Sequence, residues 1–426
     1  MKILLISHNS LSTHQNMGKT LLSLLSDVEP RELCQLYIYP QIPDTDKASS
    51  YYRITDKDVL RYYYKFHVKG LEIKPDMEQH SPYENPDDEA LYRKRTNKKA
   101  SRKILRDLIW KFSHWYNKGL KSWIEKENPS CIFLAPGNAK FIYDVALKIS
   151  KKYKLPIITY ICDDYYFVKK PKAIFDKLNG YLLKKKIKKT LKKSQHVITI
   201  CDELQEAYSA EFSVPATTVM TGSSFPIAEK PKEIKNPTTI SYFGNIRCNR
   251  FYSLAEIGNA LDKINSERNT DYKLCIYTSE KDTDILSHFD GIKSIKLCGF
   301  VTGDAFKEAF NSSEILLHTE AFDEKNIDLV KHSISTKIAD SLASGIPFFA
   351  YGPERVASIK YLLKNEIAVV ATSKDELCEN LITVFNNTKE INEKVKNALV
   401  CARNYHNSKI VSNYIRNCFE VVQHLC

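Results

Sequence analysis

The sequence predicts an α/β protein of two Rossmann-like domains, each a parallel sheet wrapped by helices. Three observations carry that prediction. Short β-branched and aromatic runs bounded by turn residues recur along the chain with helical stretches between them. The length of 426 residues is too great for one ordinary core. A proline-punctuated stretch, "GSSFPIAEKPKEIKNP" at 222–237, splits the runs into two series, because Pro226, Pro231 and Pro237 block a continuous helix or a central strand.

In the first series the expected strands are "KILLIS" from Lys2, "CQLYIY" from Cys34, "CIFLA" from Cys131, "PIITYIC" from Pro156 and "HVITIC" from His196. In the second they are "TTISYFG" from Thr238, "YKLCIYT" from Tyr272, "SIKLCGF" from Ser294, "EILLHTE" from Glu314, "PFFAYG" from Pro347 and "AVVATS" from Ala368. Two sheets of five or six strands are thus expected in series, in domains spanning 1–225 and 238–405, with 222–237 as the linker. Residues 41–102 form a polar, tyrosine-rich insertion too long for an ordinary βα connection, expected to be partly helical around "DDEALYRKRTNKKASRK". In the tail, 406–426, Ile410, Val411, Tyr414, Ile415, Cys418, Val421, Val422 and Leu425 make a helical apolar stripe that must pack on something, the first domain being one candidate. Tandem domains of this kind are expected to face the carboxyl ends of their sheets across a cleft, with a nucleotide on one wall and a second substrate on the other.

Composition narrows the classes. No run approaches the ~20 apolar residues of a spanning helix, and the chain begins as a strand rather than a signal sequence. A cytoplasmic site of work is expected. The 11 cysteines are scattered without a CxxC pair, several inside apolar strands, and the histidines lack HxxxH spacing. Reduced thiols fit that pattern better than disulfides or zinc. The formal charge of +12 points to an anionic partner, whether nucleic acid, nucleotide or membrane surface.

"THQNMGKTLL" at 13–22 ends in the Gly18-Lys19-Thr20 of a P-loop, but the position where that loop needs its other glycine is Thr13. The nucleotide-hydrolase reading is therefore disfavoured, a lone Gly-Lys-Thr arising readily by chance. What survives is a strand, a polar loop and a helix opening near Asn16, the first unit of an open α/β sheet.

The densest chemical signal is "KHSISTKIADSLASGIPFFAYGP" at 331–353. Ser335 and Thr336 are N-cap residues, Lys337 to Ala343 have helical spacing, Gly345 ends the helix and Pro347 opens the next strand. A helix starting at the strand ends offers N–H groups and the positive pole of its dipole to a diphosphate, and Lys337 adds a full charge. Asp340 lies one turn on, where a carboxylate can accept two ribose hydroxyls. A plain capped helix, with Lys337 solvated, explains the same residues without a ligand. In "ISYFGNIRCNRFYSL", Gly244 ends the second domain's first strand and Asn245, Arg247 and Arg250 follow in the turn. Glycine permits close approach to a phosphate and an arginine fork clamps one, although an ordinary βα turn needs no more than this.

These stretches resemble the donor-binding region of GT-B glycosyltransferases, especially the retaining family 4 group that builds bacterial surface polysaccharides. The resemblance implies that Ser335, Thr336 and Lys337 hold the donor diphosphate and that Asp340, where most relatives use glutamate, holds the ribose. It also implies a basic residue facing the diphosphate after the glycine, with Arg247 the preferred match. The first glutamate of the usual pair has no equivalent, since Glu320 lies too far upstream and the eighth position before Asp340 is His332. In the first domain, "ITYICDDYYF" ends a strand in Asp163 and Asp164, candidates for binding sugar hydroxyls or simply a turn-forming, helix-capping pair. By the same resemblance the loop His14, Asn16, Gly18 meets the acceptor and the donor phosphates.

Three Asp-x-Asp pairs, Asp44/Asp46, Asp56/Asp58 and Asp282/Asp284, imitate a metal motif, but none directly ends a strand, and turns and caps account for them. "YLLKKKIKKTLKKS" sets Leu183, Ile187 and Leu191 in helical register amid seven lysines. It is either a solvated face over a core stripe or, over Lys184 to Lys193, a helix attracted to anionic lipid.

The sequence is therefore read as a glycosyltransferase that moves sugar from a nucleotide-diphosphate sugar to a glycan or lipid-linked acceptor. Catalytic candidates are Asp163, Asp164, Lys337 and Arg247. Retention of configuration is expected, with no metal and no cofactor beyond the sugar-nucleotide substrate. The expected location is the cytoplasm, with docking at the inner face of the membrane. Rival readings are a nucleotide-sugar epimerase of the same fold and a basic nucleic-acid-binding protein. The latter is disfavoured because the Lys/Arg clusters lack interleaved aromatics.

Overall fold

The computed structural model describes residues 1–13, 16–76, 100–168, 173–386 and 388–424. The chain divides into two compact units, Met1–Met220 with Val411–Cys426, and Thr221–Ile410.

The first unit holds an eight-stranded sheet in the order β4-β3-β2-β1-β5-β6-β7-β8. Its central strands are β1 (Ile3–Ser7), β2 (Leu33–Tyr37), β5 (Cys131–Ala135), β6 (Ile157–Ile161) and β7 (Ser194–Thr199), the five expected runs. All these pair in parallel. Their continuous apolar character follows from burial on both faces. Successive side chains alternate sides, so Leu4, Ile6, Cys34 and Leu36 pack into one core while Ile3, Leu5, Leu33 and Tyr37 pack into the other. The final helix, Ser408–His424, buries Val411, Ile415, Phe419 and Val422 in that second core.

Three strands exceed the expected five or six. They are β3 (Ser50–Arg53), β4 (Leu71–Ile73) and β8 (Ala216–Thr218), with β4 antiparallel to β3. The first two lie in the polar insertion, where their polar residues are held by specific partners. Arg53 donates to the Gln41 carbonyl at 3.2 Å, and the Trp123 indole donates to the Ser50 hydroxyl at 2.6 Å. β3, Ser-Tyr-Tyr-Arg, carries no apolar alternation, and β4, Leu-Glu-Ile, is too short for its alternation to stand out. The helix expected around 87–103 falls mostly outside the described residues, which resume as the helix Ala100–Phe112.

The second unit holds a six-stranded, all-parallel sheet in the order β11-β10-β9-β12-β13-β14. The strands are β9 (Thr239–Phe243), β10 (Lys273–Tyr277), β11 (Ile295–Gly299), β12 (Ile315–Thr319), β13 (Phe348–Tyr351) and β14 (Val369–Ala371), matching the six expected runs. The proline-rich stretch read as a linker lies along this unit. The Ala228 N–H donates to the Ala343 carbonyl and the Lys232 N–H to that of Gly345, each at 2.8 Å. Among the described residues, no helix is long and apolar enough to cross a membrane.

Candidate active site

In the second unit, β9 ends at Phe243 and the chain turns sharply through Gly244, whose φ of +154° is costly for any side chain. Two further left-handed residues, Cys248 and Asn249, complete the turn before a helix opens at Arg250. Beside β9, β12 delivers His318, Thr319 and then Glu320. The helix Thr336–Ala343 begins on the same side, with Ser335 as its cap residue. Tyr242, Asn245, Arg250, His318, Ser335 and Lys337 are among the residues that line one pocket of about 100 Å³.

Lys337 lies beside the glycine turn. A Cβ added at Gly244 would stand 2.5 Å from the Lys337 ammonium. The glycine thus leaves room for a cation where the helix presents its positive pole. Ser335 occupies the cap position, but its hydroxyl makes no capping hydrogen bond. The first turn of this helix therefore has no side-chain acceptor at its cap, the arrangement that suits an incoming anion.

Arg250 supplies the second cation. Its Nε and Nη2 reach Glu320 Oε2 at 2.9 and 2.8 Å, and both side chains are largely buried. Burial pushes the Glu320 carboxyl up, against the lowering influence of Arg250. His318 lies between Ser358 Oγ, at 3.2 Å, and Glu320 Oε1, at 3.4 Å. Burial, with the positive charges of Arg250 and Lys337, lowers its pKa to about 3, so the imidazole is neutral and its contact with Glu320 is not an ion pair. The pocket thus concentrates positive charge on Lys337 and Arg250.

Sequence reasoning preferred Arg247 over Arg250, and here the structure differs. Arg247 donates from Nε and Nη2 to the two Glu280 carboxylate oxygens at 2.6 and 2.9 Å, and it is absent from the pocket lining. That bidentate pair holds Glu280 down at about 2. Only two residues, the left-handed Cys248 and Asn249, separate the two arginines, and the turn they make leaves Arg247 before the helix while Arg250 opens it and lines the pocket. Asn245 serves the turn itself, its Oδ1 accepting the Arg247 N–H at 2.8 Å while its carbonyl accepts the Tyr242 hydroxyl. Thr336 is exposed at the helix start. Asp340 is buried, and its Oδ1 accepts the Ser224 N–H at 2.7 Å and the Ser224 and Ser223 hydroxyls at 2.9 and 3.2 Å. Its expected ribose-binding oxygen therefore anchors the 223–224 turn in this structure.

The first-unit candidates are differently placed. Asp164 Oδ1 accepts the N–H groups of Tyr166 and Phe167 at 2.8 and 2.9 Å and the Tyr208 hydroxyl at 3.2 Å, which makes it the organiser of its turn. Asp163 is half-buried and accepts the Tyr165 hydroxyl at 3.1 Å. Gly18 lies inside the helix Asn16–Leu24, pressed on the 10–12 loop, where a Cβ would collide with the Ser10 carbonyl and stand 2.9 Å from the Ser12 nitrogen. It serves helix packing. Asn16 opens that helix, and His14 lies outside the described residues.

Each Asp-x-Asp pair has a carboxylate at a turn or cap. Asp44 accepts from Ser12 and Thr13, Asp58 forms a capping box with Thr55, and Asp282 caps Asp284. Among the described residues there is no group of three or more potential metal ligands.

No family model and no curated protein sequence matches the chain. Solved structures do match over its whole length. HepE from Anabaena in complex with UDP aligns with a TM-score of 0.63 at 11% identity, covering 99% of this chain and 100% of that one. The α,α-trehalose 6-phosphate synthase of Burkholderia multivorans aligns at 0.61 and 9%, covering 100% and 97%. The lipopolysaccharide outer core galactosyltransferase WaaB in its apo form aligns at 0.58 and 11%, covering 99% of each chain. The chain has the GT-B fold.

Proposed function

We propose that this protein is a glycosyltransferase that transfers sugar from a nucleotide-diphosphate sugar to a glycan or lipid-linked acceptor. The observation that carries the reading is the Lys337 ammonium seated over Gly244 at the amino end of the Thr336–Ala343 helix. A diphosphate placed there meets Lys337, the helix pole and Arg250 together. Charge grows on a departing nucleoside diphosphate as the glycosidic bond breaks, and cations already in place stabilise it without reorganising. The reading assigns this task to the two side chains and the helix, without a divalent metal. Retention of configuration follows from the resemblance to family 4. Solved structures of the same fold, HepE with UDP and with UDP-glucose, support a uridine nucleotide as the first donor to try.

Ser335 and Thr336 flank the diphosphate position in this proposal. Asp340 takes the ribose only by exchanging the Ser223 and Ser224 hydroxyls for those of the sugar.

The test is Lys337→Ala, assayed with UDP-, GDP- and ADP-sugars and by thermal-shift titration with the free nucleotides. Loss of one preorganised charge is expected to lower kcat/KM by about 10²–10³. The unliganded melting temperature should move by less than about 2 °C, because the side chain is exposed. Wild-type turnover with unchanged nucleotide protection would remove Lys337 from the site. Free nucleotide released only in the presence of acceptor distinguishes transfer from epimerisation.

A further inference from the structure

We propose that the outer face of three helices in the first unit, Asp56–Lys65, Ala100–Phe112 and the first two turns of Ile174–Leu191, is a docking surface for an anionic lipid bilayer. The inference rests on this surface alone and holds whatever the second unit's pocket binds.

Each helix carries its exposed apolar residues as a stripe. Leu105, Leu108 and Phe112 recur at i, i+3, i+7, and Ile174, Leu178 and Tyr181 at i, i+4, i+7. Leu60, Tyr63 and Tyr64 face solvent on the first helix, and Phe66, which ends it in a left-handed conformation, is 82% exposed. That periodicity ordinarily marks the buried side of a surface helix. Here other contacts hold the inner sides. Lys140 joins Asp107 to Asn179 beneath the second and third helices, and Asp56 accepts from Arg106 and the buried Trp110. The helices are neighbours, the middle one packing on both others. Between the first two runs a groove of about 790 Å³, lined by Leu60, Tyr63, Tyr64, Leu108 and Phe112 with Lys57 and Arg61. Exposed apolar stripes on three neighbouring helices, two of them bounding one groove, mark an interaction site rather than scattered surface residues.

Charge selects the partner. Lys57, Lys65, Arg102, Lys111 and Lys177 are exposed on these helices, whereas Asp56 and Asp58 are buried and Asp107 and Asp176 half-buried. The Lys111 ammonium lies 5.3 Å from the Phe112 ring centroid, a cation carried on an apolar anchor. A second copy of the chain in a two-fold contact would set these cations against one another. A nucleic acid uses aromatic faces but gains nothing from Leu60, Leu105, Leu108, Ile174 and Leu178. A bilayer uses all three kinds, taking aliphatic groups among its acyl chains, tyrosines at headgroup depth and lysines against lipid phosphate.

This places the surface at the opposite end of the lysine-rich helix from the one its sequence suggests. Over Lys184 to Lys193 the stripe Leu183, Ile187 and Leu191 is buried, and Lys186 and Lys188 pair with Asp144 and Glu211. That half has the form of a solvated face over core.

The full chain is to be co-sedimented with phosphatidylcholine vesicles and with vesicles carrying about 30 mol% phosphatidylglycerol, at low and high salt. Expected are affinity at least about tenfold higher for the anionic vesicles and a similar loss in each of two double variants, Leu108→Gln with Phe112→Gln and Ile174→Gln with Leu178→Gln. Neutralising Lys188, Lys189, Lys192 and Lys193 to glutamine is expected to cost less than about threefold. Circular dichroism verifies that each variant is folded. The proposal falls if neither vesicle is bound, if the two bind equally, or if the double variants bind like wild type. It falls equally if the double variants instead abolish a concentration-dependent dimer or retention of RNA or DNA.

Discussion

The polar residues at the end of β6 and those around Gly244 look alike as sequence, each a charged cluster where a parallel strand stops, yet they have opposite fates. Asp164 spends its acceptor capacity on Tyr166, Phe167 and Tyr208, all close by in its own unit. Lys337, by contrast, reaches Gly244 from the helix Thr336–Ala343, far along the chain, and lines the same pocket as Arg250 from the glycine's own turn. A carboxylate among nearby N–H groups is satisfied locally. Cations brought together from separate segments repel, and they persist because the fold holds them and because Glu320 compensates one of them. Convergence of like charge from distant positions is thus a better sign of a ligand site than a charged dipeptide at a strand end.

The contrast can be broken by substitution. Arg250→Ala leaves Glu320 buried without its partner and is expected to cost about 3–5 kcal/mol in denaturant unfolding. A loss below about 1 kcal/mol would show that the pair is not a structural element of the pocket. Asp164→Ala strands two N–H groups and is expected to cost about 2–3 kcal/mol. Full stability with turnover abolished would instead return Asp164 to the chemistry.

The pH dependence sharpens the comparison further. His318 is held neutral down to about 3, so below the ordinary value of 6.5 the unfolded chain takes up a proton that the folded chain refuses. Its contribution therefore destabilises the fold as pH falls from about 6.5 toward 3, by at most about 1.4 kcal/mol per pH unit. The difference between wild type and His318→Gln isolates this term from buried His406, whose pKa is also lowered. Identical slopes in the two proteins would refute the neutral assignment. The smallest effect is expected for Arg247→Ala, which should change kcat/KM by less than about threefold because its exposed guanidinium is engaged with Glu280 and lies outside the pocket lining. A loss matching that of Lys337→Ala would restore Arg247 as the diphosphate clamp.

The sequence by itself determined eleven of the strands, their division into two series and the helix at 336–343, because apolar runs buried on both faces and cap residues are local signals. It also singled out Lys337 and Gly244. It missed β3, whose Ser50 and Arg53 are held by Trp123 and Gln41, and β4 and β8, each of only three residues. The presence of Arg250 rather than Arg247 in the pocket lining, the commitment of Asp340 to the 223–224 turn, and the outward stripe of Leu105, Leu108 and Phe112 were decided by tertiary structure alone. Each depends on which side of a helix meets a neighbour and which distant group fills a carboxylate's lone pairs. Periodicity defines the stripe on a helix, but only packing decides whether that stripe is covered.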